Sequence, residues 1–195
     1  LQISEIVGEE HIGWRYDPIF IDDKYTVKYH LEQFEGISAA LQGYTKNCVI
    51  SFLDLYQKVK RNFPEVKMVS KEQRKYLGQR MTRIATEHKM ILRPCGEGTE
   101  LAAFGADCNG CMTQQIYENA IHMSLDMPKK QFLRKECACY LGNDIGAYNS
   151  CPHMCKYCYA NYDEKSVRLN RINHNPKSAF LIGDDMPNDK VHKAV

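Results

Sequence analysis

The sequence lacks the segments that would hold a protein in a membrane or carry it out of the cell. No run of about 18 apolar residues occurs, so no stretch is predicted to span a membrane. The first residues, LQISEIVGEE, have no basic segment followed by an apolar core, which is the pattern of a secretory signal. An initiating Met is also missing, and we therefore expect a processed protein or a fragment of a longer one.

An excess of charge of one sign is missing too. The 195 residues include 26 Lys and Arg and 24 Asp and Glu, which gives a formal net charge of +2. This balance favours neither a nucleic-acid partner nor a membrane surface. The basic cluster of Lys129, Lys130, Arg134 and Lys135 is expected to be a solvated face. With 44% hydrophobic residues, the chain is predicted to fold around a core.

Cysteine, by contrast, is abundant. The nine Cys are an odd number in a long chain with several core-forming segments, which argues against a secreted disulfide scaffold. Cys48 lies in an apolar run and is expected to be a small buried hydrophobe. Five others lie between Cys137 and Cys158. Such clustering without a signal sequence indicates metal binding in a reducing compartment, so we expect a cytoplasmic protein.

The rest of the sequence alternates strand-like and helix-like segments. Strands are predicted in HIGWRYDPIFI, which should break at Asp17-Pro18, in the apolar run NCVISFLDLY, and in MILRPCGEG. Apolar residues at helical spacing predict helices in YTVKYHLEQFEGISAAL and in SKEQRKYLGQRMTRIATEHKM, the second opened by a capping box at Ser70. Shorter helices are predicted from Thr113 and over about residues 163–172.

This alternation predicts an α/β fold built from parallel βα units. The visible units supply about three or four strands, whereas a closed eight-stranded barrel needs about 250 residues. The chain is therefore expected to be an open α/β sheet or part of a TIM-type barrel, and the missing Met favours the barrel. We assign residues 1–128 to the βα repeats and residues 129–195 to a Cys-rich segment that completes the same domain.

Charged residues gather where the predicted strands end. Arg15 and Asp17 lie late in the first strand, Asp54 closes CVISFLD, and Glu97 lies in the turn CGEGTE. Ligands bind at the carboxyl ends of the strands in parallel α/β folds, so these four residues are candidate catalytic residues. The alternative is that they are helix caps or structural ion pairs.

The segment CPHMCKYC brings Cys151, Cys155 and Cys158 into one loop. A four-iron cluster has an iron at each of four corners, and each iron needs a ligand. No cysteine follows Cys158, so three thiolates on such a cluster leave one iron with an open position. An open metal position is where substrates and cofactors bind.

Zinc is the alternative metal for this loop. A structural zinc site takes four ligands, usually as two pairs, and Cys155 with Cys158 has the spacing of one pair. Cys137 and Cys139 would supply the other pair, although a single residue between them is tight. His153 lies inside the motif and would compete as a ligand.

The CxxxCxxC spacing of this segment resembles the signature of radical S-adenosylmethionine enzymes. In that superfamily the open iron binds the amino and carboxylate groups of S-adenosylmethionine, and an electron from the cluster cleaves the sulfonium to give a 5′-deoxyadenosyl radical. The resemblance implies a [4Fe–4S] cluster, S-adenosylmethionine as cofactor, Tyr157 next to the adenine, and a cellular one-electron reductant as partner. Without the resemblance, Tyr157 is a ring that shields the cluster from water.

In most radical S-adenosylmethionine enzymes this motif lies early, whereas here it follows all the recognisable βα units. Six segments together resemble an uncharacterised prokaryotic family whose C-terminal cysteine cluster is similar to the radical S-adenosylmethionine motif. They are WRYDPI, YTVKYHLEQF, CVISFLDLY, KECAC, DIGAYNSCPHMCKYCYAN and HNP. The resemblance spans about residues 14–183 and implies an N-terminally truncated member. The barrel is then expected to be permuted, with DIGAYNS as the strand that feeds the cysteine loop.

The remaining cysteines allow a second metal centre. Auxiliary clusters are familiar in the radical S-adenosylmethionine superfamily. Cys95, Cys111, Cys137 and Cys139 are predicted to bind a second iron–sulfur cluster, with Cys108 as a substitute ligand. The alternative is that these are incidental thiols in a reducing cytosol.

Three functional hypotheses result. The leading one is a radical S-adenosylmethionine-type enzyme whose substrate lies over the carboxyl ends of the strands. The first alternative is a non-enzymatic iron–sulfur protein for electron transfer or redox sensing, which usually has four thiolates and needs no open iron. The second alternative is a zinc-stapled structural module, whose tetrahedral sulfur site would be colourless.

Overall fold

The computed structural model describes residues 2–126, 139, 146–184 and 186–190 of the chain. The described strands are β1 Gly13–Ile19, β2 Asn47–Phe52 and β3 Ile91–Pro94. The described α-helices are α1 Gln2–Val7, α2 Val27–Leu41, α3 Gln57–Asn62, α4 Lys71–Glu87, α5 Gln114–Ile121 and α6 Glu164–Ile172. Short 3-10 helices lie at Glu9–His11 and Glu100–Phe104.

The described strands form one parallel sheet in the order β1-β2-β3. Parallel neighbours need a crossover connection, which α2 supplies between β1 and β2 and α4 supplies between β2 and β3. Arg15 of β1 is in register with Val49 of β2, and Val49 is in register with Arg93 of β3. The prediction of an α/β fold with parallel βα units is confirmed.

The sheet formed by the described residues is open, with β1 and β3 at its edges. Of the two predicted arrangements, the described strands show the open sheet, and the TIM-type barrel stays a prediction. The strand predicted in DIGAYNS is wrong for its described part, since residues 146–150 contain a turn and no strand. Asn149 there has a left-handed φ of 58°, a conformation that Asn tolerates in turns and that a strand does not use.

The hydrophobic core lies between the sheet and the two crossover helices. Phe34 of α2 and Leu77 of α4 are fully buried with Cys48 and Ile50 of β2. Each large side chain buried in this way contributes about 1.5–3 kcal/mol. Because alternate strand residues point to opposite faces, Cys48 and Ile50 face the helices and Val49 faces away from them. Cys48 is thus the buried hydrophobe that the sequence predicts, and burial raises the pKa of its thiol.

Both crossover helices begin at a side-chain cap. Ser70 Oγ accepts a hydrogen bond from the Gln73 N–H, and the Gln73 side chain accepts one from the Ser70 N–H. The predicted capping box at the start of α4 is therefore confirmed. Thr26 caps α2 by accepting a hydrogen bond from the Tyr29 N–H. These bonds satisfy backbone donors that have no partner within the helix.

Two strand boundaries differ from those predicted. β1 does not break at Asp17-Pro18 but continues to Ile19, with an irregular register after Tyr16. Pro18 has no N–H to donate to the neighbouring strand, which explains the irregular pairing. β2 ends at Phe52, earlier than the apolar run suggests, and Gln57 then begins α3.

The chain forms two compact units. The first, called the sheet unit here, comprises Leu1–Asp54 and Glu65–Gly142. The second, called the cysteine-loop unit, comprises Leu55–Pro64 and Asn143–Val195 and contains α3 and α6. The assignment of residues 129–195 to the same domain as residues 1–128 stays a prediction. Among the described helices, none combines the length and the apolar character needed to cross a membrane.

Candidate metal centres

A polar layer lies on the face of the sheet opposite α2 and α4. Arg15 Nη2 donates to Asp17 Oδ2 at 2.7 Å, and Arg15 Nε donates to the same carboxylate. Ser51 Oγ also donates to Asp17 Oδ2, at 3.2 Å. Residues two apart on a strand share a face, so Arg15 and Asp17 lie side by side and Ser51 reaches them from β2. The carboxylate of Asp17 therefore holds the guanidinium of Arg15 in one orientation.

The guanidinium of Arg15 remains a cation in this layer. Burial alone would lower its pKa, but hydrogen bonds with Asp17 and then with Cys95 and Cys111 outweigh burial, and the pKa is raised. The Arg15 side chain is still 47% exposed. The sheet unit thus presents an accessible fixed cation next to thiol groups.

Three of the predicted ligands of the second cluster come together beside Arg15. Cys111 Sγ lies 3.2 Å from Cys139 Sγ, and Arg15 Nη1 points towards Cys111 Sγ from 3.9 Å. The Cys95 thiol also interacts with Cys111, and this interaction, followed by burial and by Cys139, raises the pKa of Cys111. None of the three is in a disulfide bond. Their role as metal ligands stays a prediction.

The other cysteines considered for this cluster are placed differently. Cys108 packs against the core, its Sγ donates to the Ala106 carbonyl at 3.9 Å, and burial raises the pKa of its thiol. Its contacts are therefore different from those of the Cys111–Cys139 pair. Cys137 lies outside the described residues, as does the basic cluster at residues 129–135.

The sequence analysis missed a second ion pair on the polar face. Arg93 pairs with Asp107, and Arg93 Nε donates to Asn47 Oδ1 at 3.3 Å. The Arg93 side chain is only 11% exposed, so the pairing neutralises a nearly buried charge. The signal that could have found it is register, because Arg93, Val49 and Arg15 form one row across the sheet.

Glu97, a predicted catalytic candidate, is engaged in packing at the end of the sheet. Its Oε1 accepts a hydrogen bond from the Phe52 N–H at 2.8 Å, and its Oε2 accepts one from Arg74 Nη1 at 2.9 Å. Burial raises the pKa of Glu97, and the nearby charge of Asp54 raises it further, against the opposite effects of Phe52 and Arg74. A cavity of about 380 Å³ lies beside this ion pair. Catalytic roles for Glu97 and for the exposed Asp54 stay predictions.

In the cysteine-loop unit, the predicted cluster ligands lie on one loop. Cys151 and Cys155 are exposed, and Cys158 is half-buried. The Cys158 N–H donates to the Cys155 carbonyl at 2.9 Å, which folds the end of the loop into a turn. Met154, just before Cys155, has a left-handed φ of 51°, which is uncommon for a residue other than Gly. Tyr157, predicted to pack near an adenine, is half-buried next to Cys158.

Two Asn side chains that the sequence analysis did not name tie this loop at its base. Asn161 is buried, and its Nδ2 donates to the Cys151 carbonyl at 2.6 Å. The Asn149 N–H donates to the Ala160 carbonyl at 3.0 Å, and Asn149 Oδ1 accepts a hydrogen bond from the Tyr162 N–H. These bonds connect the chain before the loop with the chain after it. The sequence signal that could have revealed these bonds is the presence of Asn residues on both sides of the cysteine motif.

A cavity of about 530 Å³ borders the cysteine loop. Met154 of the loop and Val167 of α6 form part of its apolar wall, and Arg168 and Arg171 of α6 contribute guanidinium groups. Arg168 is already paired with Glu164. The cavity therefore combines an apolar surface with positive charge next to Pro152 and Met154 of the cysteine loop, within one unit of the chain.

The comparison with known families identifies the domain that carries both sets of thiols. The model of the family described as Domain of unknown function (DUF1848) matches residues 1–160. The chain belongs to this family. The predicted membership of an uncharacterised family is thereby confirmed. No curated protein matches the chain, and neither does any solved structure. The matched DUF1848 segment contains all nine cysteines, so both thiol sets lie within it.

The thiols of the cysteine loop are suitable donors for an iron–sulfur cluster, although they do not form a ready site for a single metal ion. Within the described ranges, no group of three or more His, Cys, Asp or Glu side chains is arranged to hold a metal ion. A four-iron cluster makes a different demand, because each thiolate binds a different iron and the sulfurs need not converge on one point. Three soft thiolate donors on one exposed loop fit that demand.

Proposed function

We propose that this DUF1848 protein binds a [4Fe–4S] cluster through Cys151, Cys155 and Cys158 and is a radical S-adenosylmethionine-type enzyme. Bound there, such a cluster would supply one-electron chemistry and an open iron for S-adenosylmethionine, as in the superfamily that the motif resembles. The expected partner is a cellular one-electron reductant.

The observation that carries the proposal is the set of three thiols on one loop, with no fourth cysteine in the loop itself. The 37 residues after Cys158 contain no cysteine, so the loop leaves one iron without a thiolate. An electron-transfer cluster usually has four thiolates, and an open position suits catalysis better. The bonds from Asn161 and Asn149 support this reading, because they fix the base of the loop while its thiols stay accessible.

We place the S-adenosylmethionine in the cavity that borders the loop. Its apolar wall at Met154 and Val167 suits the hydrocarbon and adenine parts of the cofactor. Arg171 lines the cavity and would donate a hydrogen bond to the carboxylate oxygen that the iron leaves free, since hydrogen bonds from a guanidinium to a carboxylate are strong. Tyr157 would pack near the adenine, as the resemblance implies.

We further propose that the sheet unit is part of a TIM-type barrel. Both crossover helices pack on the same face of the sheet, which is the arrangement of consecutive βα units in a barrel. The opposite face, which carries Arg15 and Asp17, would then line the barrel interior, where polar groups meet a substrate. Asp54 and Glu97 follow the ends of β2 and β3 and remain candidates for substrate contacts.

The first experiment is electron paramagnetic resonance on anaerobically purified protein that has been reconstituted with iron and sulfide. The protein is reduced with dithionite and measured with and without S-adenosylmethionine. A reduced four-iron signal that changes shape on addition of S-adenosylmethionine is the expected result, because the cofactor binds the open iron. A signal indifferent to S-adenosylmethionine would support the electron-transfer alternative, and a colourless protein that holds zinc would support the structural one.

Two variants test the ligand assignment in the same assay. Cys155→Ala removes one of three thiolates and is expected to abolish the four-iron signal. Cys48→Ala is the matched control, because it removes a thiol that is buried in the core and should leave the signal unchanged. Full iron retention in Cys155→Ala would show that this loop does not hold the cluster.

A further inference from the structure

The distance between Cys111 Sγ and Cys139 Sγ in the sheet unit indicates which kind of sulfur chemistry the pair can support. Two sulfurs joined in a disulfide are about 2.0 Å apart. Two thiolates that share one tetrahedral zinc ion are about 3.8 Å apart, since each Zn–S bond is about 2.3 Å long. The 3.2 Å between Cys111 Sγ and Cys139 Sγ is closer to the second value. Ligands on separate irons of a cluster do not need to approach each other so closely.

The groups around this pair are those that a thiolate metal site uses. The Cys95 thiol interacts with Cys111 and provides a third sulfur. Arg15 directs an N–H towards Cys111 Sγ, and Asp17 fixes the Arg15 side chain in that orientation. Hydrogen bonds to the ligand atoms from such outer groups orient the ligands and tune the metal.

We infer that Cys95, Cys111 and Cys139 form a site for a single thiophilic divalent cation of the zinc type, separate from the iron–sulfur cluster proposed for the cysteine loop. As each sulfur–metal bond forms, the thiol releases its proton to solvent. Three thiolates leave the fourth tetrahedral position to water or to a ligand from solution. Within the described residues the three thiols are not yet arranged to hold an ion, so binding requires their sulfurs to shift until they converge on one point.

This thiolate site does not depend on the proposed radical chemistry, and the experiment measures metal binding at the site in the absence of the loop thiols. The test uses the full chain with Cys151, Cys155 and Cys158 all replaced by Ser, so that the loop can hold no metal through thiolates. This variant is purified without oxygen, stripped with a chelator and titrated with Co²⁺. The expected result is one Co²⁺ per chain, with thiolate-to-cobalt charge-transfer absorption and the strong visible bands of tetrahedral Co²⁺, both bleached by Zn²⁺.

Single substitutions added to this background decide which sulfurs bind. Cys111→Ser is expected to abolish the charge-transfer absorption, and Cys108→Ser, which removes a thiol with separate surroundings, should leave it intact. Cys139 is more deeply buried than Cys111, so Cys111→Ser remains informative if Cys139→Ser does not fold. No tetrahedral Co²⁺ spectrum in the background variant would overturn the inference. A spectrum that survives Cys111→Ser, or a Cys111–Cys139 disulfide in the anaerobic protein, would overturn it as well.

Discussion

Removal of the Glu97 carboxylate should destabilise the sheet unit strongly, because this group joins a strand to a helix. One oxygen accepts the Phe52 N–H at the end of β2, and the other pairs with Arg74 of α4. The Glu97 side chain is only 8% exposed, so water cannot replace these partners readily. Glu97→Ala would leave the Phe52 N–H without its acceptor and Arg74 without its anionic partner, although Arg74 Nε still donates to the Val69 carbonyl.

The size of the effect follows from these two losses. A buried donor left unpaired costs about 1–3 kcal/mol, and breaking a fully buried ion pair costs roughly 3–5 kcal/mol. Arg74 is 25% exposed, so water recovers part of the second cost. We therefore expect Glu97→Ala to lower the free energy of unfolding by about 3 kcal/mol. Glu97→Gln keeps an oxygen for the Phe52 N–H and should lose about 1 kcal/mol.

The pH dependence gives a second signature of the same group. Burial raises the pKa of Glu97 above its ordinary value, against the lowering effects of Phe52 and Arg74. The folded protein therefore holds this proton more tightly than the unfolded chain does. The part of the stability that is linked to this proton is fully present below the ordinary Glu pKa and is lost as pH rises through the folded pKa, while the bonds to Phe52 and Arg74 remain. Glu97→Gln cannot ionise and should lack this component of the pH profile.

Urea unfolding followed by tryptophan fluorescence measures both effects. The chain contains one Trp, Trp14, which packs against Phe34 in the sheet unit and reports on that unit alone. Glu100→Ala is the matched control, because Glu100 lines the same cavity but is exposed, and it should change stability by less than about 0.5 kcal/mol. Equal losses for Glu97→Ala and Glu100→Ala would refute the reasoning.

Two further predictions use the same unfolding assay. Gly78→Ala would place a Cβ 2.5 Å from two methyl groups of Leu101, and we expect a loss of about 1–3 kcal/mol. Gly36→Ala on α2 meets nothing within 4 Å and should be neutral or stabilising by up to about 1 kcal/mol, so an equal loss at both positions would contradict the packing argument. Burial lowers the pKa of His30, so stability should fall as pH drops below about 6.5, where the unfolded chain takes up the proton more readily. His30→Gln should flatten this part of the profile, and an unchanged slope would show that another group is responsible.

Local patterns in the sequence were sufficient to predict most of the regular elements. The helical spacing around Phe34 and Leu77 reflects the face that each helix buries, and a buried face leaves a periodic trace in the sequence. The capping box at Ser70 uses groups only three residues apart, so it too could be recognised locally. The short α3 has one buried residue, Val59, which is too few to produce a period.

Contacts between distant residues were harder to predict. Cys111 and Cys139 are 28 residues apart, and no local pattern indicates which sulfur each would meet. Arg93 and Asp107 are separated by a loop and a 3-10 helix, so their pairing depends on how that segment folds back. Strand alternation could still have placed Arg15, Asp17 and Ser51 on one face, because side-chain direction in a strand changes at every residue.

The two sets of thiols differ in ways that favour different metals. In the cysteine loop the thiols are spaced along an exposed turn, with two of the three exposed and the base fixed by Asn161. Thiolates that can reach separate irons suit a cluster. In the sheet unit, Cys111 and Cys139 are already in contact and Arg15 stands beside them, which suits one ion shared by two sulfurs. A single chain would then carry an open iron for chemistry and a compact thiolate site for one ion, and loss of either set of cysteines should leave the metal content of the other unchanged.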